Sequence, residues 1–327
     1  MSILLSFIAK LSEAKIRCFQ NMGFTTWLAV QEAWSLAANG YAGEPRLKVL
    51  KQQFRWAFYA LFNSTTLLEW FRILQTPELS TYVGINSRIA LKPMRVYISH
   101  RWKMIKKIKV IRDTYRFIQL SDSPLQNALM KNDGVNLARF LFATDEACIQ
   151  LGYDNTFRKE GELVVSLLPT EASGSIVSLA FSFEQQQNGE WTMYIGCIQG
   201  RNGIDNKLIT KAMHGLWPRV FIVFVAQEIA AALGIKHILG VGNSIHSHKK
   251  KHIIYIQSRH GLSFDYDSLW ADVDGNVSED GWFELPLQLS RRPYESMKSN
   301  KRSMYTRRYA MLDNISAQIQ SSLSPHN

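Results

Sequence analysis

The sequence predicts an α+β fold in which a helical N-terminal region precedes a mixed, mostly antiparallel sheet. Three observations support it: apolar residues recur at helical spacing early in the chain, they alternate in short runs after Gly134, and a strong helix followed by a strand occupies the stretch 220–241. We therefore divide the chain into a helical region at 1–133, an α/β domain at 134–290 and a basic tail at 291–327.

Apolar spacing and end signals place the N-terminal helices. A first helix is predicted over Leu4–Lys15, a second over Thr25–Ala38, a third from Pro45, and a fourth after Thr66, which with Glu69 fits a capping box. A longer helix is predicted over Arg95–Leu120. It is apolar on one face and basic on the other, where the candidate surface residues are Arg101, Lys106, Lys107 and Lys109.

Period-2 runs predict the strands. They lie at Val135–Ala143, Ala147–Tyr153, Glu162–Leu168, Ile176–Phe183 and Trp191–Ile198. The short spacings between them, and Asn188-Gly189 as a hairpin turn, predict an antiparallel meander. A short helix over Leu208–Leu216 and a strong helix over Val220–Leu233 follow. Further strands are predicted at Lys236–Val241, Leu262–Tyr266, Leu269–Val273 and Trp282–Leu285, so that residues 135–285 form one mixed sheet with the strong helix packed on it.

The composition is that of a globular, strongly basic protein. Of 327 residues, 46% are hydrophobic and 20% charged, which excludes a disordered chain, and the net charge is +11. Such an excess favours an acidic partner: an acyl carrier protein, an anionic membrane surface or RNA. The alternative is a charge that serves only solubility.

The N-terminus and the cysteines indicate the compartment. Lys10, Lys15 and Arg17 follow the short apolar start instead of preceding it, so we expect neither a cleaved signal peptide nor, anywhere in the chain, a transmembrane segment. The three cysteines show no disulfide or zinc spacing. We expect a cytoplasmic protein that can lie at the inner membrane, with the periplasm as the alternative.

A glycine turn after the strand Trp191–Ile198 is a candidate phosphate-binding site. The backbone N–H groups of such a turn, and the start of the helix after it, attract an anion. The candidate binding residues are Gln199, Gly200, Arg201, Gly203 and, after the next strand, Asn243. The alternative is that the glycines only form a turn.

Three other groups of residues are candidate sites. His246, His248 and His252 could hold a metal, but the lysines between them favour a solvated loop. Glu160 and Glu162 could exchange protons, although paired carboxylates at strand ends are more often solvated. In the tail, Arg302, Arg307 and Arg308 alternate with tyrosines, which is typical of a nucleic-acid or membrane contact and also of a solvated helix. No catalytic residue is assigned.

The order of strand, loop, helix and strand resembles the N-acetyltransferase superfamily, and this resemblance implies an acyl-coenzyme A donor held by the loop. Asn202 stands where the superfamily has its first loop glycine. A basic chain with an altered loop suits an acidic acyl carrier protein better than free coenzyme A. We expect its carrier domain to dock on the basic helix by electrostatic steering.

Several long strings are similar to the VirK/YbjX family of Gram-negative bacteria. They are Arg158–Leu163, Ile195–Gly200, Thr210–Pro218, Gly240–Asn243 and Lys301–Arg308. The resemblance implies a virulence-associated factor that supports outer-membrane remodelling, surface virulence proteins and resistance to antimicrobial peptides. Two classes of function stay open: an acyltransferase-like enzyme, and a non-enzymatic binding or chaperone-like factor for an acidic partner, RNA or a membrane.

Overall fold

The computed structural model describes residues 23–121, 123–131, 133–142, 145–170, 174–201, 203, 205–249 and 264–324. The chain divides into two units, with the boundary between Arg95 and Val96. The helix predicted over Leu4–Lys15 and the expected absence of a signal peptide concern residues outside the described ranges.

The first unit is helical. Its elements are α1 (Phe24–Gly40), α2 (Arg46–Phe62), α3 (Ser64–Ile73), α4 (Pro77–Ile85) and a 3₁₀ segment, Ser87–Met94. The buried face of α1 carries small residues at Ala29, Ala33 and Ala37, which allow a neighbouring helix to approach closely. The fully buried Trp70 donates its indole N–H to the Ala90 carbonyl at 2.8 Å, which ties α3 to the 3₁₀ segment.

The second unit is a sheet with helices packed on it. Its helices are α5 (Met104–Leu120), α6 (Ser123–Met130), α7 (Asn206–Ala212), α8 (Pro218–Ala232), α9 (Tyr266–Asp272) and α10 (Arg302–Leu323). Its strands are β1 (Val135–Phe142), β2 (Asp145–Gly152), β3 (Leu163–Pro169), β4 (Val177–Gln185), β5 (Trp191–Gly200), β6 (His237–Val241), β7 (Asn276–Val277) and β8 (Trp282–Leu285). The described strands form one sheet in the order β1-β2-β3-β4-β5-β6-β8-β7. The predicted α+β fold and single mixed sheet are confirmed.

The β5–β6 pair is parallel, whereas the other neighbouring strands are antiparallel. A parallel pair needs a crossover, and α8 supplies it with an almost wholly apolar surface that packs against β3, β4 and β5. Close to this pair, β5 bulges at Gly196, since Ala180 and Phe181 pair with Cys197 and Ile195. A Cβ at Gly196 would overlap the Glu160 carbonyl oxygen, so the bulge needs glycine.

Three predicted elements were wrong. The stretch Leu269–Val273 is not a strand but belongs to α9, which Asp265 caps by accepting from the Ser268 N–H at 3.2 Å. Tyr266, predicted to end a strand, begins that helix. The helix predicted from Arg95 begins only at Met104, because the chain before it is held by tertiary hydrogen bonds, among them Ile98 N–H to the Lys159 carbonyl at 2.7 Å.

The basic tail folds into a packed helix. One side of α10 is buried through Leu312, Ile315, Ile319 and Leu323, and the helix lies against β1 and α8. The Ser316 hydroxyl donates to Glu228 of α8 at 2.5 Å. Packing of α10 in this position brings its first turns beside α7 and the start of α8, which matters for the site.

Candidate functional site

A cavity of about 940 Å³ opens where β5 leaves the sheet. Its walls come from the start of β4, the end of β5, helix α7, the loop from α7 to α8, and the first turn of α10. This volume lies within the range of small-molecule sites. The cavity therefore has room for a ligand of cofactor size.

The cavity is positively charged. Its lining includes five cationic side chains: Arg201, Lys207, Lys211, Arg219 and Arg307. The described lining residues include no aspartate or glutamate. His214 also lines the cavity, and desolvation, together with the charges of Arg307 and Arg308, lowers its pKa. An anion that enters this space meets several cationic side chains.

The loop between α7 and α8 fixes the floor of the cavity. Helix α7 is capped by Asp205, which accepts from the Lys207 N–H at 2.8 Å, and ends where His214 and Gly215 take positive φ angles of 52° and 78°. The Arg308 guanidinium then donates to the His214 carbonyl at 2.8 and 3.0 Å. Thus α10 holds the loop in place from a distant part of the sequence.

Helix α8 directs its N-terminus at the same space. Trp217 precedes it without a capping side chain, and Pro218 occupies the first helical position. The first N–H groups of a helix lack intrahelical acceptors, and the helix dipole adds partial positive charge there. Arg219 in the first turn lies 3.9 Å above the ring of Phe264, and burial lowers its pKa.

A buried polar cluster follows behind Phe264. The ring of Phe264 contacts Tyr266 at 5.0 Å, and the Tyr266 hydroxyl lies 3.3 Å from the Cys197 sulfur. Burial raises the pKa of Tyr266 well above its ordinary value and that of Cys197 to about 12. Both groups therefore keep their protons at neutral pH. The cysteine is therefore not a thiolate nucleophile.

Two histidines and a carboxylate complete the cluster. Glu160 is buried and accepts from the Ser247 hydroxyl at 3.3 Å, while His248 Nε2 lies 3.4 Å from the same carboxylate oxygen. His246 is 1% exposed and stacks on Tyr266 with ring centroids 4.8 Å apart. Burial lowers the pKa of His246 to about 4, with the charge of His248 acting in the same direction and Glu160 opposing it.

The neutral state of His246 predicts a pH dependence of stability. In the unfolded chain this group binds a proton near its ordinary pKa of 6.5, whereas in the fold it does so only near 4. The stability that depends on a neutral His246 is therefore present above pH 6.5 and is lost as the pH falls from 6.5 to 4. We expect the free energy of unfolding to decrease by about 3 kcal/mol over that interval through this group.

Urea denaturation at several pH values checks this expectation. Between pH 6.5 and 4, the free energy of unfolding of the variant His246→Gln should fall by about 3 kcal/mol less than that of the wild type. The control is His237→Gln, which removes an imidazole that is 43% exposed. Equal pH slopes for His246→Gln and the wild type would refute the prediction.

The predicted phosphate-binding residues fall into two groups. Gly200, Arg201 and Gly203 line the cavity, whereas Gln199 is exposed and outside the lining. Asn243 lies after β6, where its amide donates to Asp265 at 2.6 Å and accepts from the Tyr266 N–H at 2.9 Å. These bonds tie the end of β6 to the start of α9. The assignment of Gln199, Gly200, Arg201, Gly203 and Asn243 as donor-binding residues stays a prediction.

The predicted basic surface is also divided. Lys106 and Lys109 contact the buried Glu184 at 2.5 and 3.3 Å, and the Arg101 guanidinium donates to the Asp280 carbonyl at 3.2 Å. Lys107 also takes part in a non-covalent interaction. In α10, Arg307 faces the cavity, Arg308 holds the His214 loop, and Arg302 donates to the Met297 carbonyl. Most of these cationic side chains therefore make contacts within the fold.

Sequence reasoning missed the cationic residues of α7 and α8, namely Lys207, Lys211 and Arg219, and the buried Tyr266. A signal for the lysines was present, because they stand four residues apart in a short helix next to the predicted glycine turn. Within the described residues, no group of His, Cys, Asp and Glu could hold a metal ion. None of the helices described there is long and apolar enough to cross a membrane.

Comparison with known proteins gives one family match. The model of the family described as "Protein of unknown function (DUF535)" matches residues 45–321, well over half of the chain. The Escherichia coli (strain K12) protein YbjX is 26% identical over 261 residues, which cover 77% of each chain. Two Haemophilus influenzae proteins are 31% and 32% identical over 40% and 39% of this chain, and this chain spans 44% and 43% of their lengths.

Proposed function

The chain belongs to the DUF535 family, and we propose that it is an acyltransferase-like enzyme whose cavity binds the phosphate of a phosphopantetheine-bearing acyl donor. The observation that carries this proposal is the cluster of five cations around a cavity at the N-terminus of α8, where the described lining residues include no acid. Charge-assisted hydrogen bonds from arginine, lysine and a helix start are the usual means of binding phosphate.

The order of the elements supports acyl transfer as the chemistry. An antiparallel run β2–β5, a crossover helix α8 and a parallel strand β6 follow each other as the resemblance to the N-acetyltransferase superfamily implies. The cavity adjoins the end of β5 and the start of β4. A donor phosphate bound there would direct its thioester arm along the sheet toward the cluster behind Phe264.

Tyr266 fits the need for a proton donor. When an amine or hydroxyl of the acceptor attacks the thioester carbonyl, the C–S bond breaks and the departing thiolate needs a proton. The Tyr266 hydroxyl bonds to the Cys197 sulfur and to the Ile198 carbonyl, and one ring, Phe264, separates it from the cavity residue Arg219. In this proposal Tyr266 gives its proton to the departing thiolate and takes up the proton that the acceptor's amine or hydroxyl loses when the new C–N or C–O bond forms.

The resemblance to the VirK/YbjX family supplies the biological setting of the proposal. The enzyme would modify a component of the bacterial envelope and so contribute to outer-membrane remodelling, to the production of surface virulence proteins and to resistance against cationic antimicrobial peptides. A cytoplasmic site at the inner membrane would give it access to both acyl carrier protein and envelope precursors.

Titration with a graded series of donors tests the proposal. We expect 4′-phosphopantetheine, coenzyme A and phosphopantetheinylated acyl carrier protein to bind, and pantetheine, which lacks the phosphate, to bind at least about tenfold more weakly. The phosphopantetheinylated carrier should bind more tightly than its unmodified form, and raising the salt concentration should weaken both. Absence of binding by every phosphate-bearing donor at low salt would overturn the proposal.

A non-enzymatic binding factor is the second candidate. The observation in its favour is the exposed apolar face of α2 in the N-terminal unit, which a catalytic role does not need. Release of free thiol from an acyl donor in the presence of acceptor distinguishes the two. An enzyme releases thiol in successive turnovers, whereas a binding factor releases none.

A further inference from the structure

Helix α2 exposes a continuous apolar face. Leu47, Leu50, Phe54, Phe58 and Leu61 follow each other at intervals of three or four residues, and Phe62 extends the row. All six are exposed, with Leu47 at 83%, Phe62 at 73% and Phe58 at 62%. A row of this kind on a helix covers one face. Single exposed apolar residues are ordinary, but a contiguous face of six marks an interaction surface.

The opposite side of α2 already has its partner. Gln53, Trp56 and Ala60 are buried, and the Gln53 amide donates to the Trp34 carbonyl of α1 at 3.3 Å. Trp56 is fully buried. The helix is therefore fixed by one face to its own unit, and the apolar row is not the side that folding requires.

The charges on α2 are all of one sign. Arg46, Lys48, Lys51 and Arg55 lie among the apolar residues of its first three turns, and the helix contains no aspartate or glutamate. Lys48 pairs with Glu44, which precedes the helix, at 2.8 Å. An exposed apolar face with interspersed cations and no acids is the pattern of helices that lie in the plane of a membrane interface.

We propose that this face of α2 binds the surface of a bilayer that contains anionic lipids. Phe58, Leu61 and Phe62 enter the boundary between headgroups and acyl chains, while the lysines and arginines meet the negative headgroups. The charge argues against a second copy of this chain as the occupant, because two such faces would bring four like charges from each helix together. This inference stands independently of the donor cavity.

Co-sedimentation of the full chain with vesicles tests the inference. The vesicles consist of phosphatidylcholine alone or of phosphatidylcholine mixed with phosphatidylglycerol. We expect the wild type to bind the mixed vesicles and to bind neutral ones far more weakly. The variant Phe58→Ser/Phe62→Ser should bind the mixed vesicles roughly tenfold more weakly or worse, since two exposed rings no longer enter the interface.

The matched control is Ile105→Ser/Leu120→Ser, which removes two apolar side chains of α5 that are 70% and 71% exposed. It should bind as the wild type does. A second variant, Lys48→Gln/Lys51→Gln, removes charge without touching the apolar face and should reduce the preference for phosphatidylglycerol. Circular dichroism and the thermal midpoint show whether each variant keeps its fold.

Three outcomes would overturn the inference. One is no binding of the wild type to either vesicle. Another is equal binding by the wild type and Phe58→Ser/Phe62→Ser. The third is a wild-type oligomer in gel filtration that the same variant converts to a monomer, with no binding to vesicles, because the face would then join two copies of the chain. Loss of donor binding in cavity variants leaves vesicle binding intact, so failures of the two proposals can be told apart.

Discussion

Reversing the charge of Lys207 and Lys211 together is expected to weaken binding of a phosphate-bearing donor by about 100-fold or more. Both lysines are exposed residues of α7 that line the cavity. The double change replaces two attractive charges with two repulsive ones beside the bound phosphate. Because neither side chain is buried, the variant should unfold at the same denaturant concentration as the wild type.

Calorimetric titration with phosphopantetheinylated acyl carrier protein and with coenzyme A measures this effect. The charge-matched control is Lys131→Glu/Lys236→Glu, which reverses two exposed lysines outside the cavity lining and should change affinity only slightly. Wild-type affinity should fall with rising salt, and that dependence should be shallower in the cavity variant. If the cavity variant binds donors as the wild type does, the donor site lies elsewhere.

The change Lys106→Glu is expected to lower the free energy of unfolding by about 3 kcal/mol. Glu184 is 3% exposed, and its carboxylate is met by Lys106, by Lys109 and by the Tyr194 hydroxyl at 2.9 Å. Burial alone would raise the pKa of Glu184, but these partners outweigh it and the pKa lies below the ordinary value. A second carboxylate in place of Lys106 would leave Glu184 buried beside a like charge.

Urea denaturation compares this variant with Lys106→Met and Lys103→Glu. Lys106→Met removes only the charge and should cost less than Lys106→Glu, while Lys103 is exposed and its reversal should change stability by no more than about 0.5 kcal/mol. Since the folded pKa of Glu184 is depressed, its contribution is present above the ordinary glutamate range and is lost as the pH falls. The loss of unfolding free energy caused by Lys106→Met should therefore become smaller at acidic pH. A loss that does not depend on pH would contradict this explanation.

This electrostatic arrangement also changes how the basic helix is interpreted. The sequence predicts that Lys106 and Lys107 belong to a docking surface for an acyl carrier protein. In the structure Lys106 neutralises the buried carboxylate of Glu184, so reversing its charge would lower stability and binding together. Lys207 and Lys211 are better positions for testing an electrostatic partner, because they are exposed.

Local patterns were sufficient for most of the sheet and for its crossover helix. The strands from β1 to β5 show period-2 alternation, and α8 is a long apolar run between a proline and a glycine. Short segments lack such a pattern. The five residues Leu269–Val273 have no distinguishing period, and the Asp265 cap and the bond from the Trp270 indole to the Val241 carbonyl at 2.9 Å stabilise a helix there.

The sequence by itself determined the fold class, the basic character of the chain and the glycine turn after β5, because each depends on composition or on neighbours in the chain. Only the tertiary structure decided where the charges act. Arg307 reaches the cavity from about a hundred residues beyond Lys207, and Lys106 meets Glu184 across 78 positions. Such pairs form because packed helices bring distant residues together. No local sequence pattern indicates which cation will face a cavity and which will face a buried carboxylate.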